Sequence, residues 1–89
     1  MIEAFWDSGF KRAYRKRVKA NPRLHARFWG KLGDFLEEPF SAHLRTHKLG
    51  GKLAGQWAFS IDDDYRVLFE FIDSDSVLLI DVGTHDEVY

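Results

Sequence analysis

Apolar residues change their spacing along this chain, and the change divides it into a helical and a stranded part. Met1–Trp6 reads as a short first strand. Phe10, Ala13, Tyr14 and Val18 then recur at helical spacing. Asp7 or Ser8 stands where a short oxygen side chain caps a helix start. Asn21-Pro22 ends this helix and opens another, Asn as cap and Pro at the first helical position. Leu24, Phe28, Leu32, Phe35 and Leu36 form the second apolar stripe, and Glu38-Pro39 stops it. Gly30 and Gly33 each weaken that helix by about 1 kcal/mol relative to Ala, which points to close packing there.

Residues 39–52 read as a loop. The period then becomes two: Leu53, Gly55, Trp57, Phe59 and Ile61 alternate with Ala54, Gln56, Ala58 and Ser60, as on a half-buried strand. Asp62-Asp63-Asp64 is a turn. Tyr65–Ile72 is apolar on both faces, which predicts a central strand. A second turn at Asp73–Ser76 leads to a buried strand, Val77–Val82, ended by Gly83. The predicted fold is α+β, in the order β-α-α-β-β-β, with two helices packed on one face of an antiparallel sheet. The first strand must return over a long distance to join that sheet.

Length and composition narrow this little further. At 89 residues the chain is expected to be one domain, residues 1–89. An aromatic share of 16% argues against disorder, because large rings offset the entropy of ordering. No cysteine is present, so disulfides and thiolate metal sites are excluded. No run approaches the ~20 apolar residues of a membrane span and no secretory leader is visible, so a cytoplasmic location without a membrane partner is expected.

Charge changes the picture more. The net value of −1 hides a division. Residues 1–31 carry nine Lys and Arg against Glu3 and Asp7 alone, whereas residues 54–89 carry nine Asp and Glu against Arg66 alone. The basic half is either a polyanion-facing surface or a solvated helix face.

Few residues carry candidate chemistry. His85, just past the last strand, can exchange a proton near neutral pH and follows a glycine that permits a sharp turn. His47 is a second acid–base candidate or an exposed loop residue; His43 and His25 read as surface or core-edge residues. Arg66 lies in a strand among apolar residues and requires an anion, either a phosphate or the carboxylate of Asp64 or Glu70. Asp64 is alternatively a proton acceptor. His43 and His47 have helical metal-pair spacing, but Pro39 and Gly50-Gly51 oppose a helix there, so no metal or other cofactor is expected. No nucleophile elbow or phosphate-cradling glycine loop is present.

Four short motifs in order carry a resemblance: His47-Lys48-Leu49-Gly50-Gly51, Gly55-Gln56-Trp57, Asp64-Tyr65-Arg66-Val67-Leu68-Phe69 and Gly83-Thr84-His85-Asp86-Glu87-Val88-Tyr89. Together they resemble the RelE/ParE superfamily of type II toxin–antitoxin toxins, in particular the YafQ, RelE and YoeB group. The resemblance implies a ribosome-dependent mRNA endoribonuclease that works without metal through attack of a 2′-OH on the adjacent phosphate. Its partners are then the ribosome, mRNA and a cognate antitoxin. Carried over by position, it implies His47 as a base, Asp64 as its partner or alternative, Arg66 as a phosphate ligand and His85 as general acid. Lys48 and Tyr89 become substrate-binding residues, while Trp57 matches a packing position. Ser60 stands where YafQ-type toxins can carry another histidine. Two alternatives share the fold: a gyrase-inhibiting toxin of the ParE branch, and a weak or inactive toxin that only binds its antitoxin.

Overall fold

A computed structural model describes all residues, 1–89. The chain runs β1 (Glu3–Trp6), α1 (Ser8–Ala13) continuing as a π-helical turn (Tyr14–Val18), α2 (Pro22–Glu37), β2 (His47–Lys48), β3 (Trp57–Ser60), β4 (Tyr65–Asp73), β5 (Ser76–Thr84) and α3 (His85–Val88). The five strands lie in the order β1-β5-β4-β3-β2, which puts β4 in the centre as its two apolar faces predict. The strands from β2 to β5 pair antiparallel, whereas β1 lies parallel to β5, Phe5 opposite Leu78. Hairpin-linked strands must run antiparallel; β1 is joined to β5 by most of the chain and escapes that constraint.

Both long helices begin at the expected caps. Asp7 accepts from the Gly9 N–H at 2.9 Å, and Asn21 accepts from the Leu24 N–H at 3.2 Å with Pro22 following. Their stripes close over one face of the sheet. Phe10, Val18, Leu24, Phe28, Leu32 and Phe35 meet Phe59, Ile61, Val67, Phe69, Val77, Leu79 and Val82 in one core. Phe35 stacks on Phe59 with centroids 4.3 Å apart and meets the edge of Phe69 at 4.8 Å. At the outer end of the helices His25 is tied down rather than free: its Nε2 lies 2.8 Å from the Tyr14 hydroxyl and accepts from the Trp29 indole at 3.1 Å.

Four local expectations are corrected. Gly30 and Gly33 are exposed, and a Cβ at either would meet nothing within 4 Å, so they mark no close packing. Residues 39–52 are not all loop, because His47–Lys48 forms an edge strand on β3 between two short 3-10 turns. A two-residue strand is too short to show a period. The strand expected from Leu53 begins only at Trp57: Gly55 takes φ +93°, outside the extended region, and Gly51–Leu53 is a 3-10 turn. Gly83 does not end the last strand. It lies inside β5, which runs to Thr84, and the chain then makes the one-turn helix α3.

The second face of the sheet is partly covered too. Ala58, Leu68 and Val88 are buried together, with Leu49, Leu53 and Ile80 packed against them. The segment after β2 and the C-terminal turn therefore fold over the face opposite the helices. Between them they leave an opening.

Candidate functional site

Strand register decides which side chains meet in that opening. Ser60, Arg66 and Gly83 stand opposite one another on β3, β4 and β5, and His47 stands opposite Ala58. Alternation turns Val67 and Phe69 into the helix-side core and Arg66 and Leu68 to the other face. His47 and Arg66 thus share a face, and α3 brings His85 and Tyr89 over it.

Two adjoining clefts result. One, of about 420 Å³, is lined by His47, Leu49, Gly50, Leu53, Arg66, His85 and Tyr89. The other, of about 450 Å³, is lined by Asp63, Asp64, Tyr65, Arg66, Thr84, His85 and Asp86. Arg66 and His85 belong to both and so stand at their common wall. Five of the residues singled out in the sequence are brought together: His47, Asp64, Arg66, His85 and Tyr89. Lys48 is not. One residue on from His47 in a strand, it faces the opposite way, with its Nζ 5.5 Å from the Trp57 ring centre. His43 also lies elsewhere, its Nε2 3.0 Å from Asp34 and its Nδ1 2.9 Å from Ser41. No group of three or more His, Asp or Glu side chains is arranged to hold a metal ion.

Arg66 is half-buried and joins none of the molecule's six ion pairs. Neither Asp64 nor Glu70 pairs with it, so the ion pair offered as its structural explanation is not formed. Burial pushes the Tyr89 phenol above its ordinary value, and the nearby Arg66 charge opposes that rise. The His85 ring packs edge-on against Tyr89, with centroids 4.5 Å apart, and its Nδ1 lies 3.4 Å from Asp86. His47 Nδ1 donates to the Arg45 backbone carbonyl at 2.8 Å, which fixes a proton on Nδ1 and, in the neutral ring, makes Nε2 the acceptor.

The C-terminal turn is held by its own carboxylate. Glu87 accepts from the Thr84 N–H at 2.7 Å, as in a capping box, and lies 3.4 Å from the Arg17 Nε. The Thr84 N–H outweighs the opposing effect of desolvation and, helped by the Thr84 hydroxyl and the charges of Arg17 and Lys16, holds Glu87 below its ordinary value of 4.5. A depressed carboxylate stabilises the fold above its unfolded pKa and loses that contribution as pH falls through the folded one. The Thr84 amide resonance is therefore expected to move upfield on acidification, with a midpoint below 4.5. A midpoint at or above that value removes the bond as the turn's anchor.

No protein-family model and no curated protein sequence matches the chain. Solved structures do. A metal-bound toxin from Helicobacter pylori superposes with a TM-score of 0.79 at 19% identity, covering 100% of both chains. YafQ from Escherichia coli gives 0.78 at 12%, covering 100% of this chain and 99% of that one. The toxin–antitoxin complex RelBE2 from Mycobacterium tuberculosis gives 0.72 at 23%, covering 94% and 98%. The chain shares the fold of these solved toxin structures, a five-stranded sheet with α1 and α2 on one face.

Proposed function

We propose that this chain is the toxin of a type II toxin–antitoxin pair and cuts mRNA on the ribosome. The observation that carries this reading is Arg66, a charged fork without a counterion where His47, His85 and Tyr89 converge. Such a site suits an anion that arrives from outside, and flanking acid–base groups suit phosphodiester cleavage. In the proposed step the 2′-oxygen attacks phosphorus while His47 Nε2, or Asp64, takes its proton. The bond from phosphorus to the 5′-oxygen breaks as His85 protonates that oxygen. The products are a 2′,3′-cyclic phosphate and a free 5′-OH. Arg66 balances the charge that builds on the phosphorane, and Tyr89 orients the nucleotide. Every group required is a side chain of this protein.

Fold likeness to YafQ and to a toxin–antitoxin complex supports the toxin assignment and an antitoxin partner. The unpaired basic residues of α1 and its π-helical turn, among them Lys11, Arg12 and Arg15, supply phosphate contacts for ribosomal RNA.

The test is cleavage of mRNA on programmed ribosomes. Arg66→Ala is expected to lower the cleavage rate about 100- to 1,000-fold, the cost of removing one preorganised charge donor. Because Arg66 holds no ion pair, Tm should stay near the parent's. Cleavage at the parental rate in this variant overturns the assignment.

A further inference from the structure

We propose that Arg17, on the opposite side of β5 from the strand bearing Arg66, is a positioning residue for the C-terminal turn that carries His85 and Tyr89. Its catalytic consequence rests on the functional reading above; its structural part does not.

The argument begins with the backbone. Helix α1 does not end in an α turn. The Lys19 N–H reaches the Tyr14 carbonyl at 2.9 Å, and Tyr14–Val18 is a π turn. Such turns are rare and widen the helix locally, which re-aims the side chains on it. Here Val18 is fully buried and Tyr14 packs on the core, while Arg17 reaches the edge of β5.

That edge is open where Arg17 meets it. β1 covers β5 only from Ser76 to Leu79, and the Asp7 N–H closes the pairing at the Leu79 carbonyl, 3.0 Å away. Further along, Arg17 Nη1 donates to the Val82 carbonyl at 3.0 Å and to Asp81 at 3.2 Å, and its Nε faces Glu87 at 3.4 Å. One guanidinium thus ties the first helix to the last strand and to α3. The second oxygen of Glu87 holds the Thr84 N–H, so the connection runs from Arg17 through Glu87 to the residue before His85.

Gly83 keeps the space for this contact. A Cβ there would lie 2.8 Å from Glu87 Oε1 and 3.0 Å from both Glu87 Cβ and Arg17 Nη1. The turn also needs an anchor. A helix of four residues cannot hold itself together in water. Besides the burial of Val88 and the packing of the turn on β5 and β4, its attachments include the Arg17–Glu87 contact and the Glu87–Thr84 bond. A lone exposed ion pair contributes little, but this arginine is 24% exposed and adds a backbone acceptor and a second carboxylate. Lysine has the charge without the fork and cannot donate to the Val82 carbonyl and Asp81 while also facing Glu87 in this geometry.

The experiment compares the parent with Arg17→Met, Arg17→Lys and Glu87→Gln by two readouts. The first is NMR order parameters and amide shifts for residues 84–89, measured without RNA. The second is kcat and KM for mRNA cleavage on programmed ribosomes. In Arg17→Met, order parameters of residues 85–89 are expected to fall from about 0.85 toward 0.6 or below, with α2 and β4 unchanged. kcat falls about tenfold with KM within about twofold, the signature of displaced reacting groups rather than lost binding. Arg17→Lys recovers part of both. Glu87→Gln keeps its carbonyl for the Thr84 N–H and shows a smaller loss of order than Arg17→Met.

An unchanged turn in Arg17→Met overturns the proposal, as does a loss of order spread evenly over α2, β4 and the turn. If Arg17→Met does not fold, Arg17→Lys decides on the same amides. A parent that cuts no mRNA sinks the functional reading alone, and the NMR readout still decides whether Arg17 holds the turn.

Discussion

Replacing His85 with alanine is expected to lower mRNA cleavage about 100- to 10,000-fold, the range for losing a positioned general acid. Stability should hardly change. The His85 side chain is 66% exposed, and its one polar side-chain contact is Asp86 at 3.4 Å. Exposed positions without a packing role usually alter stability by less than about 0.5 kcal/mol. Activity and stability should therefore separate cleanly in this variant. The Tyr89 ring loses its edge contact, but Tyr89 keeps its backbone bond to the residue-85 carbonyl at 3.0 Å. Growth arrest on induction and cleavage on programmed ribosomes provide the measurement. A His85→Ala protein as toxic as its parent removes His85 from the reaction and leaves Asp64 or His47 to carry both proton transfers.

Phe35→Ala is expected to have the opposite profile. Phe35 is fully buried and lies at the centre of the layer between α2 and the sheet, stacked on Phe59 and edge-on to Phe69. Truncating such a ring costs about 3–5 kcal/mol, from lost transfer energy and the cavity left behind. A domain of this size has roughly 5–15 kcal/mol in total and is placed toward the low end by its surface-to-volume ratio. Each kcal/mol moves Tm by about 4–8 °C at this length, so the midpoint should fall by at least about 12 °C. Denaturant melts of parent and variant decide it. A loss under about 1 kcal/mol means that α2 can close on the sheet without this ring.

The helices were legible because their signals are local and agree with one another. Asp7 and Asn21 cap where short oxygen side chains precede apolar periods, and Leu24, Phe28, Leu32 and Phe35 are buried at the spacing that predicts it. Phe69 and Val67 could be placed in a central strand from composition alone. The misses have a common cause in long-range packing. Nothing near His47 announces an edge strand, because its partner Ala58 lies beyond two turns. The period-two run from Leu53 misled because Gly51 and Gly55 take positive φ before the strand starts. Gly83 looked like a stop signal, but its missing side chain makes room for Glu87 and Arg17.

At the site, register explains what could and could not be read. The motifs named His47, Asp64, Arg66, His85 and Tyr89; strand alternation puts His47 and Arg66 on one face, and the β3–β4 turn and α3 bring the others beside Arg66. Lys48 was carried along by adjacency in sequence, and in a strand adjacency means the opposite face. Arg17 carried no signal of its own among the nine basic residues of the first 31. Its partner did. Thr84-His85-Asp86-Glu87 has the spacing of a capping box, which marks a helix start just past the last strand.

The parallel pairing of β1 with β5 has a consequence for the order of events during synthesis. β1 has no partner until β5 is made, since only Ser76–Leu79 completes its ladder. At about 5–20 residues per second, several seconds separate the emergence of the two. Throughout that interval Trp6 and Ala4 lack their strand neighbour, and Arg17 lacks both of its acceptors and the Glu87 carboxylate. The turn that carries His85 therefore gains its anchor on Arg17 only after β5 has emerged.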